Sequence, residues 1–394
     1  MGQGHKRTAT GKEQQGRKGD EAKAADERAA GAAAKGAAAN GASSDGAAAS
    51  GALENSARDG GAHGGAVRDA VREYSVDELA ALLPQPAADA NKYSRGKALL
   101  VAGCAKYPGA ACLAARASQR VGAGYTEVLC APESVPAVRA ASPSLVVSPW
   151  DGVLELAEQA AVAAVASDEG ESAGQERESA LQRSLFPAAR PGHPRAYLVG
   201  SGFDGGDPES ASLVRTVLER AQAPVVVDGG GLNVLAQPEC RAAARRRFVD
   251  GYVTVVTPHA GEAARLAAPL GIATDDPAET ARRLSLAYGV VAVVKGPTTY
   301  ISDGEQIVRM AEGTAALAKA GTGDVLAGML TGLLSQGMRA VDACALATTL
   351  HAWAGRAAAA RLTDVCVAAE DVVEALPQVI KSLIGRAESF ATES

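Results

Sequence analysis

The feature that most restricts the fold of this 394-residue chain is a rhythm of short apolar runs. Six of them, Lys97–Gly103, Tyr125–Cys130, Tyr197–Gly200, Pro224–Asp228, Val253–Thr257 and Val290–Lys295, are hydrophobic almost throughout and are separated by longer amphipathic stretches. A strand with one wet face alternates apolar and polar residues, whereas unbroken apolar runs of this length belong to strands covered on both faces. A strand, a crossover helix and a parallel strand supply that cover. The expected fold class is therefore α/β, three layers with a mostly parallel central sheet flanked by helices. A small hairpin, Thr299–Ser302 and Gln306–Arg309 around Asp303-Gly304, follows the last run.

The rhythm does not reach the N-terminus. Residues 1–66 mix Ala, Gly, Ser, Lys and Glu, with Met1 and Leu53 the only larger hydrophobes. Such a segment buries too little to offset the entropy of ordering, and a disordered tail is expected there. Its nine basic and eight acidic residues nearly cancel, which argues against a nucleic-acid arm. The folded domain is expected over 67–394, beginning near a short helix capped by Ser75, with Asp77 and Glu78 in its first turn and Leu79, Leu82 and Leu83 along it. Residues 167–195, rich in Glu, Ser, Gln, Arg and Pro, are expected to form a surface insertion.

Composition excludes several classes. With 47% hydrophobic residues and a net charge of −6, the chain is neither wholly disordered nor fibrous. The most apolar long stretch, Val341–Leu362, carries Asp342, His351, Arg356 and Arg361, so no membrane partner is expected. The basic start (His5, Lys6, Arg7) leads into no hydrophobic segment, which makes a cytoplasmic location the default. Six cysteines, scattered without a CxxC, suggest neither zinc nor a disulfide framework; reduced, mostly buried thiols are expected.

In an open parallel sheet, ligands bind beyond the carboxyl ends of the strands, and in this chain those positions are rich in Gly and polar residues. The strongest signal is Ala320-Gly321-Thr322-Gly323-Asp324-Val325-Leu326-Ala327-Gly328, a glycine-flanked turn opening a long apolar helix. Free N–H groups at such a helix start form an anion hole. Asp324 in that first turn has two readings, a dipole-complementing cap or a base beside a phosphate site, and position alone leaves both open. Three glycines within eight residues favour the second, because backbone must then approach a ligand closely.

At this point the sequence resembles the ribokinase-like superfamily, in which the Asp of a G-x-G-D motif is the catalytic base. Five ordered pieces sharpen the resemblance to the NAD(P)H-hydrate dehydratases: Lys92-Tyr93-Ser94-Arg95-Gly96-Lys97, Tyr107-Pro108-Gly109-Ala110-Ala111 with Arg120-Val121-Gly122-Ala123-Gly124, Thr257-Pro258-His259-Ala260-Gly261-Glu262, Val294-Lys295-Gly296-Pro297-Thr298-Thr299, and the Gly-Asp element. The resemblance covers about Asn91 to Ala360. It implies a ribokinase-like fold and an ADP- or ATP-dependent, Mg²⁺-assisted dehydration of the S-epimer of hydrated NADH or NADPH (NADHX, NADPHX). Phosphate and AMP or ADP would be released.

The same resemblance distributes roles. Asp324 would be base and substrate contact. Gly321, Thr322 and Gly323 would steady the transferred phosphoryl, and Lys295, Gly296, Pro297, Thr298 and Thr299 would hold the nucleotide. Ala110, Gly202 and His259 would contact the hydrate, although His259 could equally be a turn residue bonded to backbone. Glu262 would organise Mg²⁺ through water, or simply be an acidic residue at a helix start. A homo-oligomer, a tetramer by analogy, is implied; Val341, Leu346 and Trp353 could be core or interface. The epimerase domain often fused ahead of the dehydratase is expected to be lacking.

Two departures stand against the family pattern. Gly200-Ser201-Gly202-Phe203-Asp204 replaces G-P-G-L-G, and Asp228-Gly229-Gly230-Gly231-Leu232-Asn233 replaces D-A-D-A-L-N. The glycines keep Asp228 and Asn233 in register, but they are expected to loosen the turn, and they remove an acidic side chain. Two alternatives stay open: a small-molecule kinase of the same fold that stops at the phosphorylated product, and a nucleotide-binding regulator without catalysis, against which Asp324 argues. A Rossmann dehydrogenase does not fit, because Val101-Ala102-Gly103-Cys104-Ala105-Lys106 supplies no G-x-G-x-x-G after the first strand.

Overall fold

The computed structural model describes residues 71–151, 186 and 190–393. The tail expected over 1–66 and most of the insertion expected over 167–195 lie outside them. The described residues fall within one unit, Val67–Ser394.

The elements appear in the order α1 (Val76–Leu82), β1 (Lys97–Val101), α2 (Pro108–Arg120), β2 (Tyr125–Cys130), α3 (Val135–Ala141) and β3 (Val146–Pro149). Next come β4 (Arg195–Val199), α4 (Pro208–Arg220), β5 (Val225–Val227), α5 (Gly230–Leu235), α6 (Pro238–Val249), β6 (Thr254–Val256), α7 (Ala260–Ala267), α8 (Pro277–Tyr288) and β7 (Val291–Val294). A hairpin, β8 (Thr299–Ser302) and β9 (Ile307–Met310), precedes α9 (Thr322–Leu334), α10 (Ala340–Leu362) and α11 (Ala369–Glu393). Ser75 caps α1 as expected, in a reciprocal box: its hydroxyl accepts from the Glu78 amide at 3.2 Å and its own amide donates to Glu78 at 2.7 Å.

Among the described residues nine strands form one sheet in the order β3-β2-β1-β4-β5-β6-β7-β8-β9. Every pair from β3 to β7 is parallel, and the hairpin adds two antiparallel strands. All six expected strands and the hairpin are present. The sequence reading missed β3, an edge strand in which only Val147 is buried and Pro149 supplies no amide; such a strand has neither apolar run nor alternation to announce it.

Alternate residues of β1 separate the two cores. Ala98 and Leu100 join one cluster with Leu330, Leu333, Leu346 and Leu350 of α9 and α10. Leu99 and Val101 join another with Leu213, Val217, Leu235 and Leu284 of α4, α5 and α8. This is the three-layer αβα arrangement of the ribokinase-like fold. Val341 and Leu346 belong to the core, and Trp353 is half-buried with its indole N–H donating to Glu312 at 3.3 Å. All six cysteines are free, three of them buried. Among the described residues no helix is long and apolar enough to cross a membrane.

One helix contact positions the site. Helix α9 lies against α2 with almost no side chain between them: a Cβ added at Gly328 would sit 2.1 Å from the Ala114 carbonyl oxygen, and one at Gly332 would sit 2.7 Å from that of Ser118. On the α2 side Ala111, Ala114, Ala115 and Ala117 are fully buried. The glycines four apart cost helix propensity and are repaid by close backbone packing. Gly328→Ala should overpack this contact and destabilise the protein by at least ~1–3 kcal/mol, read as a lower urea midpoint with an unchanged slope.

Candidate active site

Five loops at the carboxyl ends of β1, β4, β5, β6 and β7 meet the N-terminus of α9. Parallel register brings them level: Val101 is opposite Leu129 and Val199, and Val227 opposite Val256. The loop after β1 is tied to the loop after β4 by Gly103 N–H to the Ser201 carbonyl and Cys104 N–H to the Gly202 carbonyl, both 2.9 Å. Gly202 has φ +69°, and a Cβ there would lie 2.7 Å from the Ala110 Cβ and from the Tyr107 carbonyl oxygen. Ala110, in the first turn of α2, and Gly202 are thus brought together in one loop wall.

The glycines after β5 do not loosen the turn. Gly200 (φ +108°) would place a Cβ 2.3 Å from the Asp228 carbonyl oxygen and 2.6 Å from Gly231 backbone, and a Cβ on Gly230 would meet the Phe203 carbonyl oxygen at 2.4 Å. The two loops interlock backbone to backbone, so these glycines are a packing requirement, and the looseness expected from composition is overturned. Asn233 accepts from Arg265 at 3.0 Å on the following helix pair.

Behind this wall is a group the sequence did not reveal. Asp228 is buried, 3% exposed. Its Oδ1 accepts from the Thr257 hydroxyl at 2.6 Å and pairs with the Lys295 ammonium at 3.2 Å, while its Oδ2 accepts from Ser201 at 3.3 Å. Lys295, expected on the nucleotide, therefore has a buried carboxylate partner. Burial works against its ammonium, but Asp228, then Glu262 and Asp324, outweigh that and hold its pKa above the ordinary lysine value. Burial also acts on Asp324 and, with the negative charge of Asp228, pushes its carboxyl up to about 7; a hydrogen bond from Ser201 and the Lys295 charge pull the other way, and Glu262 adds to the rise. A carboxyl half-protonated near neutrality is suited to proton transfer.

Gly321 has φ +91° and turns the chain into α9, leaving the first amides of that helix free of intrahelical partners. On the far side a cleft of about 630 Å³ is walled by His259, Lys295, Gly296, Pro297, Thr299, Thr322 and Gly323, with an apolar end at Met310, Leu317, Leu326 and Ala352. Thr298 and Gly321 adjoin this wall without forming it. The loop 296–298 is closely packed: a Cβ on Gly313 would meet the Pro297 carbonyl oxygen at 2.2 Å. His259, given to the substrate by resemblance, lines the same cleft as Lys295 and Gly323 and is well exposed. Its Nδ1 accepts from the Gly261 amide at 3.1 Å, and its amide donates to Glu262 at 2.8 Å. Glu262 therefore closes a cap on α7. Among the described residues no three metal-ligating side chains converge.

A largely apolar cleft with Lys295, Thr322 and Gly323 at one end, next to a buried carboxyl and a tightly built loop wall, agrees with the family to which the sequence is similar. The family model described as NAD(P)H-hydrate dehydratase matches residues 98–378. The chain belongs to the NAD(P)H-hydrate dehydratase family. It is 34% identical over 321 residues to a bifunctional NAD(P)H-hydrate repair enzyme of Salinibacter ruber, covering 80% of this chain and 54% of that one. It is 30% identical over 303 residues to an ADP-dependent (S)-NAD(P)H-hydrate dehydratase of Xanthomonas campestris, covering 76% and 93%. Among solved structures, an ADP/ATP-dependent NAD(P)H-hydrate dehydratase from Bacillus subtilis co-crystallised with ATP/Mg²⁺ superposes with a TM-score of 0.62 at 25% identity, over 80% of this chain and 99% of that one. The chain thus spans about half the length of the bifunctional relative and nearly all of that of the Xanthomonas campestris one.

Proposed function

We propose that the protein restores NADH and NADPH from their S-hydrates by ADP- or ATP-dependent dehydration. The observation that carries this reading is the position of Asp324: on the first turn of α9, next to Gly323 of the cleft wall, facing Lys295 and bonded by Ser201 of the loop that also carries Gly202, with its carboxyl pushed up to about 7. A nucleotide in the cleft would place its terminal phosphoryl at Gly321–Gly323, and a hydrate against the wall would turn its added hydroxyl towards Asp324.

The chain's contribution follows. Asp324 accepts the hydroxyl proton as that oxygen attacks the terminal phosphoryl. The phosphorus–oxygen bond to the rest of the nucleotide breaks, and AMP or ADP departs with that electron pair. The amides at the start of α9 and the Lys295 ammonium stabilise the charge shared by the phosphoryl oxygens. The ring carbon now carries phosphate, a far better leaving group than hydroxide. Its carbon–oxygen bond breaks, the neighbouring carbon loses a proton, and the double bond of the reduced nicotinamide returns. Mg²⁺, when bound, neutralises phosphate charge. Without a protein cage its ligands would come chiefly from the nucleotide, with Glu262 reaching through water using the oxygen not engaged in the cap.

The test is recovery of NADH absorbance from chemically hydrated NADH with ADP or ATP and Mg²⁺. Nucleotide-dependent recovery is the expected result; nucleotide consumption with a stable phosphorylated product would replace the dehydratase by a kinase. A variant separates the two duties of Glu262. Glu262→Gln can still close the cap, so stability should change by less than ~0.5 kcal/mol, while the Mg²⁺ concentration giving half-maximal rate should rise severalfold. An unchanged Mg²⁺ dependence would leave Glu262 with the cap alone.

A further inference from the structure

Helix α10 runs beneath the nucleotide cleft, and its inward face is apolar except at a few positions. Thr348 and His351 lie three residues apart, hence on one face, and both line the cleft among Met310, Leu317, Leu326 and Ala352. They are 8% and 7% exposed. Thr348 Oγ1 and His351 Nε2 have no hydrogen-bond partner among the described residues. Buried polar atoms of folded proteins are nearly always paired, and a threonine in a helix has an easy solution in the carbonyl four residues back. Thr331 on α9 takes it, donating to Ala327 at 2.8 Å; Thr348 does not. Thr349 is also unpaired but does not line the cleft.

The chemistry of the pair is directional. The second nitrogen of His351 faces the Thr322 carbonyl, and burial pushes the ring down to about 4, so the imidazole is neutral and its Nε2 offers a lone pair only. The phosphate end of the cleft is fixed by the α9 N-terminus, which leaves the apolar end beside α10 for the base. Resting on the nucleotide reading above, we propose that His351 selects the nucleobase and Thr348 anchors it: His351 Nε2 accepts from the exocyclic amine of a 6-amino purine, and the Thr348 hydroxyl pairs with the adjoining ring nitrogen. A 6-oxo purine would set an oxygen lone pair against that of Nε2 and leave both of those acceptors unsatisfied, whereas the Thr348 hydroxyl, donor or acceptor, serves the ring nitrogen of either purine. A site built to hydrogen-bond one group rejects the analogue lacking it far more strongly than an apolar pocket does.

The experiment is calorimetric binding of ADP and inosine 5′-diphosphate, which differ at the 6-position and the ring nitrogen beside it, to the full chain and to Thr348→Val and His351→Leu. The wild type should bind ADP about 10–100-fold tighter than the inosine nucleotide; His351→Leu should bring the ratio to within about threefold, and Thr348→Val should weaken both nucleotides while keeping their ratio. His351→Gln, whose amide can donate to a 6-oxo group as well as accept from a 6-amino group, should equally collapse the ratio and carries the test if His351→Leu does not fold. Equal affinities in the wild type, a preserved ratio in the His351 variants, or unchanged affinities in Thr348→Val would overturn the proposal. Failure of the dehydratase reading looks different: selective ADP binding without NADH recovery leaves base selection standing, and no nucleotide binding at all removes both.

Discussion

Replacing Asp324 by asparagine should lower turnover by about 10³-fold or more while ADP affinity stays within a few fold of wild type, because the amides and glycines that bind phosphate remain and only the proton acceptor is gone. In the wild type the base must be deprotonated, so with its carboxyl pushed up to about 7 the rate should climb about tenfold per pH unit below that point and level off above it. The same group sets a stability trade. Its folded pKa lies above the roughly 3.9 of an unfolded aspartate, so the folded state binds the extra proton between those values. Stability therefore falls as pH rises through that window, and the cost is complete above about pH 7. Asp324→Asn should accordingly unfold at a higher temperature than wild type at pH 8 and at the same temperature near pH 4. A variant as active as the wild type, with a higher melting temperature at pH 8, would show that the carboxyl is buried for some purpose other than proton transfer.

The second large effect is expected at Asp228. Asp228→Ala strips Lys295 of its closest partner inside the site and removes the short acceptor of Thr257, leaving Ser201 only Asp324 to bond. Breaking a buried pair from one side costs on the order of 3–5 kcal/mol, well above the value of an exposed ion pair. The melting temperature should drop by on the order of 10 °C for a domain of this size. Removing this negative charge also takes away a cause of the raised Asp324 carboxyl, so the pH at which the remaining activity is half-maximal should move to lower values. Loss of stability without that displacement would assign Asp228 to the fold alone.

How much of this could be read from the chain depended on distance along it. The six buried strands announced themselves because burial on both faces forces continuous apolar runs. Edge strand β3, exposed and ending in Pro149, gave no such signal. The glycine turn before Asp324 was visible because helix starts carry local rules, whereas the Asp228–Lys295 pair joins residues 67 positions apart and exists only because β5, β6 and β7 lie side by side in the sheet. Ser201 was noticed as a departure from the family pattern, but its contact with Asp228 depends on two loops from non-adjacent segments. Thr348 and His351 were masked by their setting, two polar residues in a helix whose apolar content explained itself. The glycines after Asp228 show the reverse error: composition suggested looseness, and only the neighbouring backbone revealed why nothing larger fits.

The contact between α2 and α9 has a further meaning. Ala110 stands at the start of one helix and Asp324 at the start of the other, and the two are joined by glycine and alanine with main chain against main chain. The separation between Ala110 and Asp324, which on the proposed chemistry is that between the hydrate and its base, is thus set largely by main-chain atoms common to every residue, with the Leu113 and Val121 side chains touching the glycines only at the two ends. Specificity can drift in the loops while this span stays fixed. Along this seam alone, added volume would lengthen the reaction distance itself, so stability and turnover are bound to fall together there.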